Sequence, residues 1–133
     1  MTTPTTILLA TDDKRLQNKA ERLFAGQNTA TIRLVTTADE ILQHFSPLEP
    51  TKTSGYVFID LDAKEFNAYE LAREIKERAA EVVIVAASLG IDPAIIQKTK
   101  LYRIDRVLQR YKFEELLKNI ANGMQGDEVN GAS

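Results

Sequence analysis

Five apolar runs recur along the chain at intervals of about 25 residues, and segments with helical periodicity lie between them. The runs are 7–10, 32–35, 57–59, 82–87 and 104–108. Strict alternation of strand and helix is typical of βαβ units, which place helices on both faces of a parallel sheet. The pattern therefore predicts an α/β fold: a doubly wound sheet of five parallel strands with five helices. Asp105 and Arg106 interrupt the fifth run, which favours an edge position for that strand.

Helix-start signals support this order. They are Thr37 with Glu40, Asn67 with Glu70, and Asp92 before Pro93, and Gly123 is well placed to end the last helix. A chain of 133 residues has the usual size of one domain. We expect that domain to occupy residues 1–123 and residues 124–133 to form a flexible tail or linker.

Composition excludes several classes of function. The chain has no cysteine, so disulfides, thiolate metal sites and thiol catalysis are ruled out. A formal charge of −2 favours neither nucleic-acid binding nor attachment to an anionic membrane. The N-terminal sequence MTTPTT does not resemble a secretory signal, and no apolar run approaches the length of a membrane span. We expect a cytoplasmic protein whose function depends on a local site.

Acidic residues follow two of the predicted strands. Asp60 ends the third run, and Asp12 and Asp13 follow the first. Ligands of open α/β sheets bind outside the carboxyl ends of the strands, so these carboxylates could converge on a divalent cation or a phosphoryl donor. A structural role is the alternative, because Asp60 could cap the following turn and Asp12 or Asp13 the first helix. No glycine-rich nucleotide loop, serine hydrolase signature or zinc signature is present.

With these positions in place, residues 6–122 resemble the receiver domains of response regulators. That family has a flavodoxin-like (CheY-like) fold with strand order 2-1-3-4-5. The resemblance implies that Asp60 stands at the phospho-acceptor position. It also implies that the segment 11–13 contains the family's acidic pair, either as Thr11 and Asp12 or as Asp12 and Asp13.

The chain departs from the family where the chemistry is most demanding. Lys64 and Ala68 replace a usual proline and glycine after the acceptor, and Ala86 replaces the hydroxyl residue, with Ser88 two positions late. Gln109 stands at the lysine position and Arg106 at the aromatic switch position. Lys112 or Arg110 could in principle reach over to the pocket, but neither is on the lysine position. Phosphoryl transfer to an aspartate needs a divalent cation and a fixed positive charge beside the acceptor, so these replacements predict impaired phosphorylation.

We therefore expect a degenerate receiver, or pseudo-receiver, that is not an enzyme, requires no cofactor and acts as a protein-interaction module in bacterial signal transduction. Magnesium binding at Asp12 or Asp13 is left open. One alternative is an atypical receiver still phosphorylated on Asp60, which a cation and a hydroxyl reaching the pocket from elsewhere would favour. A second alternative is a small flavodoxin-like ligand-binding domain.

The resemblance also implies a docking face, formed by the fourth helix, the fifth strand and the fifth helix. We expect signalling partners there, or a second copy of the chain, and no nucleic acid or membrane. Basic and aromatic side chains of this segment have the composition of binding hot spots. The residues are Lys98, Tyr102, Arg106, Arg110 and Tyr111.

Overall fold

The computed structural model describes residues 5–26, 30–35, 37, 39–40, 43, 55–79 and 82–121. Its five strands are β1 (Thr5–Ala10), β2 (Ala30–Val35), β3 (Gly55–Asp60), β4 (Val83–Ser88) and β5 (Arg106–Gln109). Its helices are α1 (Lys14–Phe24), α2 (Ala68–Arg78), α3 (Pro93–Leu101) and α4 (Arg110–Ala121). The described residues thus contain four helices rather than the five expected. The fifth predicted helix lies between β2 and β3, in a segment that is mostly outside the described residues.

The strands form one parallel sheet in the order β2-β1-β3-β4-β5, as predicted. Asp60 is the last residue of β3 and pairs with Ala87 of β4. Ser88 of β4 pairs with Gln109 of β5. The first residues after β1, β3 and β5 therefore lie at the same edge of the sheet, where the acidic pocket was expected.

Predicted strand positions were correct within two residues, and at β5 the difference changes the position of an acidic residue. Asp105 precedes this strand instead of lying within it. Its backbone N–H donates to the carbonyl of Ile84, and its carboxylate accepts from the Ile84 N–H at 2.7 Å. Lys76 of α2, which is buried, forms an ion pair with the same carboxylate at 2.7 Å. Asp105 thus aligns the start of β5 with β4, and the edge position predicted for this strand is confirmed.

The helix starts follow the capping signals of the sequence. Thr37 and Glu40 exchange the two hydrogen bonds of a capping box. Asn67 caps α2 through the N–H groups of Tyr69 and Glu70, and Asp92 caps α3 ahead of Pro93. The carboxylate of Glu70 pairs with Arg73, so only the Asn67 half of the second predicted box is seen. Gly123 lies outside the described residues.

The end of α3 carries no glycine, and its geometry shows why none is required. The N–H of Ile104 donates to the Thr99 carbonyl and the N–H of Arg103 to the Lys100 carbonyl, which is the Schellman arrangement. Arg103 occupies the left-handed position at φ 65°. Ile104 is buried behind it and fixes the turn that leads into β5.

Two apolar layers cover the sheet. One packs α2 against residues such as Leu8, Val57 and Ile84. The other packs α1 and α4 against residues such as Ile7, Phe58 and Val85. Phe58 and Phe113 meet edge to face at 5.3 Å between ring centroids, which anchors α4 over the centre of the sheet. No helix of the described segments is long and apolar enough to cross a membrane.

Candidate functional site

Asp60 lies at the bottom of the predicted crevice and is 1% exposed. Its Oδ2 accepts a hydrogen bond from the Thr11 hydroxyl at 2.6 Å. Its Oδ1 accepts from the backbone N–H of Asp62 at 2.9 Å and from Nη2 of Arg110 at 3.0 Å. A buried carboxylate needs such donors because burial of an unpaired charge is costly. Both oxygens of the Asp60 carboxylate therefore accept hydrogen bonds from within the chain.

Arg110, the first residue of α4, reaches this crevice from the end of β5. Besides Asp60 it binds Oδ2 of Asp13 through Nη1 at 2.6 Å. Burial lowers the pKa of Arg110, but the charges of Asp60 and Asp13 outweigh this effect and raise it above its ordinary value. One guanidinium thus links the carboxylates that follow β1 and end β3. We name Thr11, Asp13, Asp60 and Arg110 the closed pocket.

The Arg110 side chain is 17% exposed, and its burial costs free energy. Its Nε is buried without a hydrogen-bond partner among the described residues. A buried unsatisfied donor of this kind costs about 1–3 kcal/mol. The two carboxylates must therefore hold the guanidinium strongly enough to offset this penalty.

Asp13 has two roles, of which the sequence indicated one. Its Oδ1 caps α1 by accepting from the N–H groups of Arg15 and Leu16. Burial raises its pKa, but the bonds from Leu16, Arg110 and Arg15 together hold the pKa below the ordinary value of 3.8. Asp13 is therefore an ionised N-cap that also binds Arg110.

Asp12 points elsewhere. Its Oδ2 accepts from the backbone N–H groups of Lys64 at 2.8 Å and Glu65 at 3.3 Å, in the loop after β3. Asp62 accepts in a similar way from the N–H of Leu89. These carboxylates tie together the loops that follow β1, β3 and β4. Within the described ranges, no three acidic or histidine side chains are grouped as a metal ion would require.

The remaining positions of the sequence prediction lie around this centre. Ala86 is fully buried in β4, and the hydroxyl of Ser88 donates to the Gly90 carbonyl at 2.6 Å. Gln109 and Arg106 are exposed on β5. Among the described residues, Thr11 supplies the only side-chain hydroxyl that is hydrogen-bonded to Asp60.

The residues predicted for docking fall into three places. Lys98 lies over the ring of Tyr69 at 4.4 Å, and the Tyr102 ring is 5.5 Å from that of Tyr69, so both belong to a cluster between α2 and α3. Arg110 is in the closed pocket. Arg106 and Tyr111 are exposed, on β5 and at the start of α4. The docking role of all five stays a prediction.

Sequence reasoning left open that Arg110 could reach the pocket, and it missed the contact of Thr11 with Asp60. For Arg110 a signal existed, because it directly follows Gln109 and hence lies at the same sheet edge as the acidic residues. For Thr11 the signal was its place after β1, next to the strand that ends in Asp60. In both cases the side chain, and not only the strand order, had to be placed before the contact could be seen.

No protein-family model and no curated protein sequence matches the chain. Solved structures do match it. The phosphorylated cyanobacterial phytochrome response regulator RcpA superposes with a TM-score of 0.72 at 15% identity, over 98% of each chain. A CheY-like receiver domain protein from Methanospirillum hungatei gives a TM-score of 0.68 at 12% identity, over 91% of this chain and 96% of its own.

The response regulator DrrB from Thermotoga maritima gives a TM-score of 0.70 at 18% identity, with 93% of this chain covering 56% of the longer regulator. At such identities the likeness concerns the fold. The fold is that of the receiver domain of response regulators, and the site lies where two of its parallel strands end in acidic residues.

Proposed function

We propose that this chain is a pseudo-receiver, a cytoplasmic protein-interaction module of bacterial signal transduction that works without conventional phosphorylation of Asp60. The observation that supports the proposal is Arg110, whose guanidinium binds Asp13 and Asp60 together. The Arg110 guanidinium, which is part of the chain, then lies where a receiver would need an exchangeable divalent cation.

The nucleophile is the first difficulty for phosphorylation. A carboxylate attacks phosphorus through an oxygen lone pair, and three of the about four lone-pair sites of Asp60 already accept hydrogen bonds within the chain. Hydrogen bonds to an anion stabilise it and lower its reactivity. Transfer would have to use the remaining lone pair on Oδ2, the oxygen that accepts from the Thr11 hydroxyl.

The cation is the second difficulty. Magnesium prefers several oxygen ligands around one point. Asp13 is bonded to Arg110 and to the start of α1, and Asp12 to the backbone of the loop after β3. The residues present do not fit a magnesium ion, because Asp13 and Asp60 are already bonded to one guanidinium and Asp12 to the loop backbone.

Signal transmission is the third difficulty. A phosphoryl group can shift a conformational equilibrium only through contacts that differ between the two states. Ala86 offers no hydrogen bond, and the hydroxyl of Ser88 is bonded to Gly90. We infer that the module presents its docking face, formed by α3, β5 and α4, in one conformation.

A second candidate is supported by the same arginine. Phosphoryl transfer needs a fixed positive charge near the acceptor, and Nη2 of Arg110 lies 3.0 Å from Asp60. Arg110 and Thr11 are a cation and a hydroxyl that reach the pocket, which is the arrangement expected from the sequence to favour a receiver still phosphorylated on Asp60. No observation favours a small-molecule ligand in the pocket.

The deciding experiment treats the full chain with Mg²⁺ and either acetyl phosphate or beryllofluoride. The readouts are intact mass and backbone amide chemical shifts. We expect no added phosphoryl mass and no shift at residues 60–62 or 106–111. Arg110→Met, which removes the tethered cation, is the matched variant, and Asp60→Asn is the negative control. Stoichiometric modification of wild-type Asp60 with shifts that reach β5 would establish the second candidate and reject the first.

A further inference from the structure

We infer that the partner of the docking face is an acidic protein segment with apolar anchors, and not a second copy of this chain. The inference rests on the proposed function, since it names the chemistry that this same surface would recognise. The supporting observations are the charge distribution of the chain and the directions of individual side chains around β5.

The charge of the chain is strongly uneven. Residues 93–121, which form α3, β5 and α4, contain seven lysines and arginines but only three acids, a net charge of +4. Two of those acids are engaged, Asp105 with Lys76 and Glu114 with Lys19. The rest of the chain is therefore net acidic, by six charges. The positive charge is concentrated in the segment that builds one edge of the sheet.

Side-chain contacts fix which part of α3 faces that edge. Lys98 lies over Tyr69 of α2, so this side of α3 points towards α2. Ile96 and Lys100 are each two residues away, about half a turn around the helix. They therefore point to the opposite side, towards β5, and both are exposed.

The same argument applies to α4. Glu114 forms an ion pair with Lys19, so this side of α4 faces α1. Lys112 is two residues away and points in the opposite direction, towards the β5 edge. Arg106 is exposed on β5 itself, and Tyr111 is 60% exposed beside Lys112. We name Ile96, Lys100, Arg106, Tyr111 and Lys112 the edge face.

The edge face combines three cations with two apolar side chains. None of the three cations forms an ion pair within the described residues, although the exposed Glu115 shares the surface of α4 with Tyr111 and Lys112. Tyr and Arg are typical anchors of binding surfaces. An acidic segment with apolar residues would neutralise the cations while covering Ile96 and Tyr111.

A second copy of the chain fits this face poorly. In a two-fold dimer the same patch meets itself, so the cations of one copy would lie opposite those of the other. Like charges brought together at an interface disfavour association. A nucleic acid would satisfy the cations, but its phosphates would leave Ile96 and Tyr111 without apolar contact.

The test uses the full chain and a synthetic helical peptide that carries glutamate and leucine on one face. The same peptide with glutamine for glutamate is the charge control, and a DNA duplex is the nucleic-acid control. Amide shifts locate the binding site, and titration gives the dissociation constant. We expect the glutamate peptide to shift residues of the edge face and to bind more weakly as salt is added.

Charge reversal then separates this face from the rest of the surface. Arg106→Glu should weaken peptide binding about threefold to tenfold, as expected when one exposed charge contact becomes repulsive. Arg33→Glu, on the exposed opposite edge strand β2, should change it less than about twofold. Equal effects of the two variants would overturn the inference. So would tighter binding of DNA, or a concentration-dependent dimer that Arg106→Glu disrupts.

One structural explanation competes with docking, because charged residues on an edge strand also prevent strand-to-strand aggregation. If the variants aggregate and the wild-type chain does not bind the peptide, the result would support a role in preventing aggregation and refute the docking inference. The outcome is independent of the phosphorylation test. Lack of peptide binding with Asp60 unmodified rejects only this inference, whereas modified Asp60 rejects the pseudo-receiver proposal whatever the peptide does.

Discussion

Replacing Arg110 by methionine is the perturbation that most directly tests the closed pocket. Methionine keeps an unbranched apolar side chain but removes the guanidinium, so Asp13 and Asp60 lose their shared cation. Asp60 is 1% exposed and cannot recover its solvation from water without local rearrangement. We therefore expect Arg110→Met to fold but to be clearly less stable than wild type.

The magnitude follows from the partners that remain. Breaking a fully buried ion pair costs about 3–5 kcal/mol, and an exposed pair contributes about 0–1 kcal/mol. Asp60 keeps the Thr11 hydroxyl and the Asp62 N–H, Asp13 is partly exposed, and the unpaired Nε of Arg110 disappears with the mutation. These effects place the loss between the two limits, at about 2 kcal/mol. For a chain of this size that corresponds to a melting temperature about 6–10 °C lower.

The assay is chemical denaturation at neutral pH, with Lys112→Met as the matched control. Lys112 is an exposed cation on the same helix, and its replacement should cost less than about 0.5 kcal/mol. Adding Asp60→Asn to Arg110→Met removes the uncompensated charge, so the double variant should recover about 1–2 kcal/mol relative to additivity. An Arg110→Met loss equal to that of Lys112→Met, or strict additivity in the double variant, would refute the ion-pair explanation.

The dependence of stability on acidic pH tests the contact between Arg110 and Asp13 independently. Because the folded state lowers the pKa of Asp13, its contribution to stability is fully present above its ordinary value of 3.8 and is lost as the pH falls through the lower folded value. Removing Arg110 removes part of that lowering. The stability difference between wild type and Arg110→Met should therefore shrink below about pH 3.8. A difference that stays constant into acid would show that Asp13 does not contribute to it.

The remaining predictions concern contacts outside Arg110, each measured as the free energy of unfolding. Asp105→Ala leaves the buried Lys76 ammonium without an anion and should cost about 2–3 kcal/mol. Lys76→Met leaves a partly exposed carboxylate and should cost about 1 kcal/mol or less. The opposite order of the two costs would contradict the assignment. Arg103→Gly relieves the backbone strain of the left-handed residue after α3 and should stabilise the fold by about 0.5 kcal/mol. Arg106→Gly, in the extended strand β5, should destabilise it. Equal effects of the two variants would argue against strain at residue 103. Thr11→Val keeps the shape but removes the hydroxyl that donates to Asp60 and accepts from the Asp13 N–H, so a cost of about 1–2 kcal/mol is expected and no cost would show these bonds to be unimportant.

The alternation of strands and helices and the position of Asp60 could be predicted because they depend on patterns that are local in the sequence, whereas the strand order was implied by the family resemblance. Apolar runs of strand length fix the alternation, and the capping residues Asn67 and Asp92 mark where helices begin. The right-handed crossover rule then limits the topology. Such information survives even where the chain is only 12–18% identical to structures that share its fold.

The long side chains could not be placed in the same way. Arg110 belongs to a position next to the family's lysine, and whether its guanidinium reaches Asp60 depends on its rotamer and on the partners available in the crevice. The Lys76–Asp105 pair joins residues 29 positions apart that no motif connects. The turn after α3 uses an arginine where a sequence pattern would look for glycine.

The identity of the cation has a consequence for regulation. A dissociable phosphoryl group can shift an equilibrium because it is present in some molecules and absent in others. Arg110 is attached to every molecule and binds both carboxylates, so on our proposal its influence on the docking face is constant. Regulation of such a module would then act on how much of it is present, or on access to the edge face. The same reasoning makes Arg110→Met the variant in which sensitivity of the pocket to added Mg²⁺ should first appear, as a rise in thermal stability that wild type does not show.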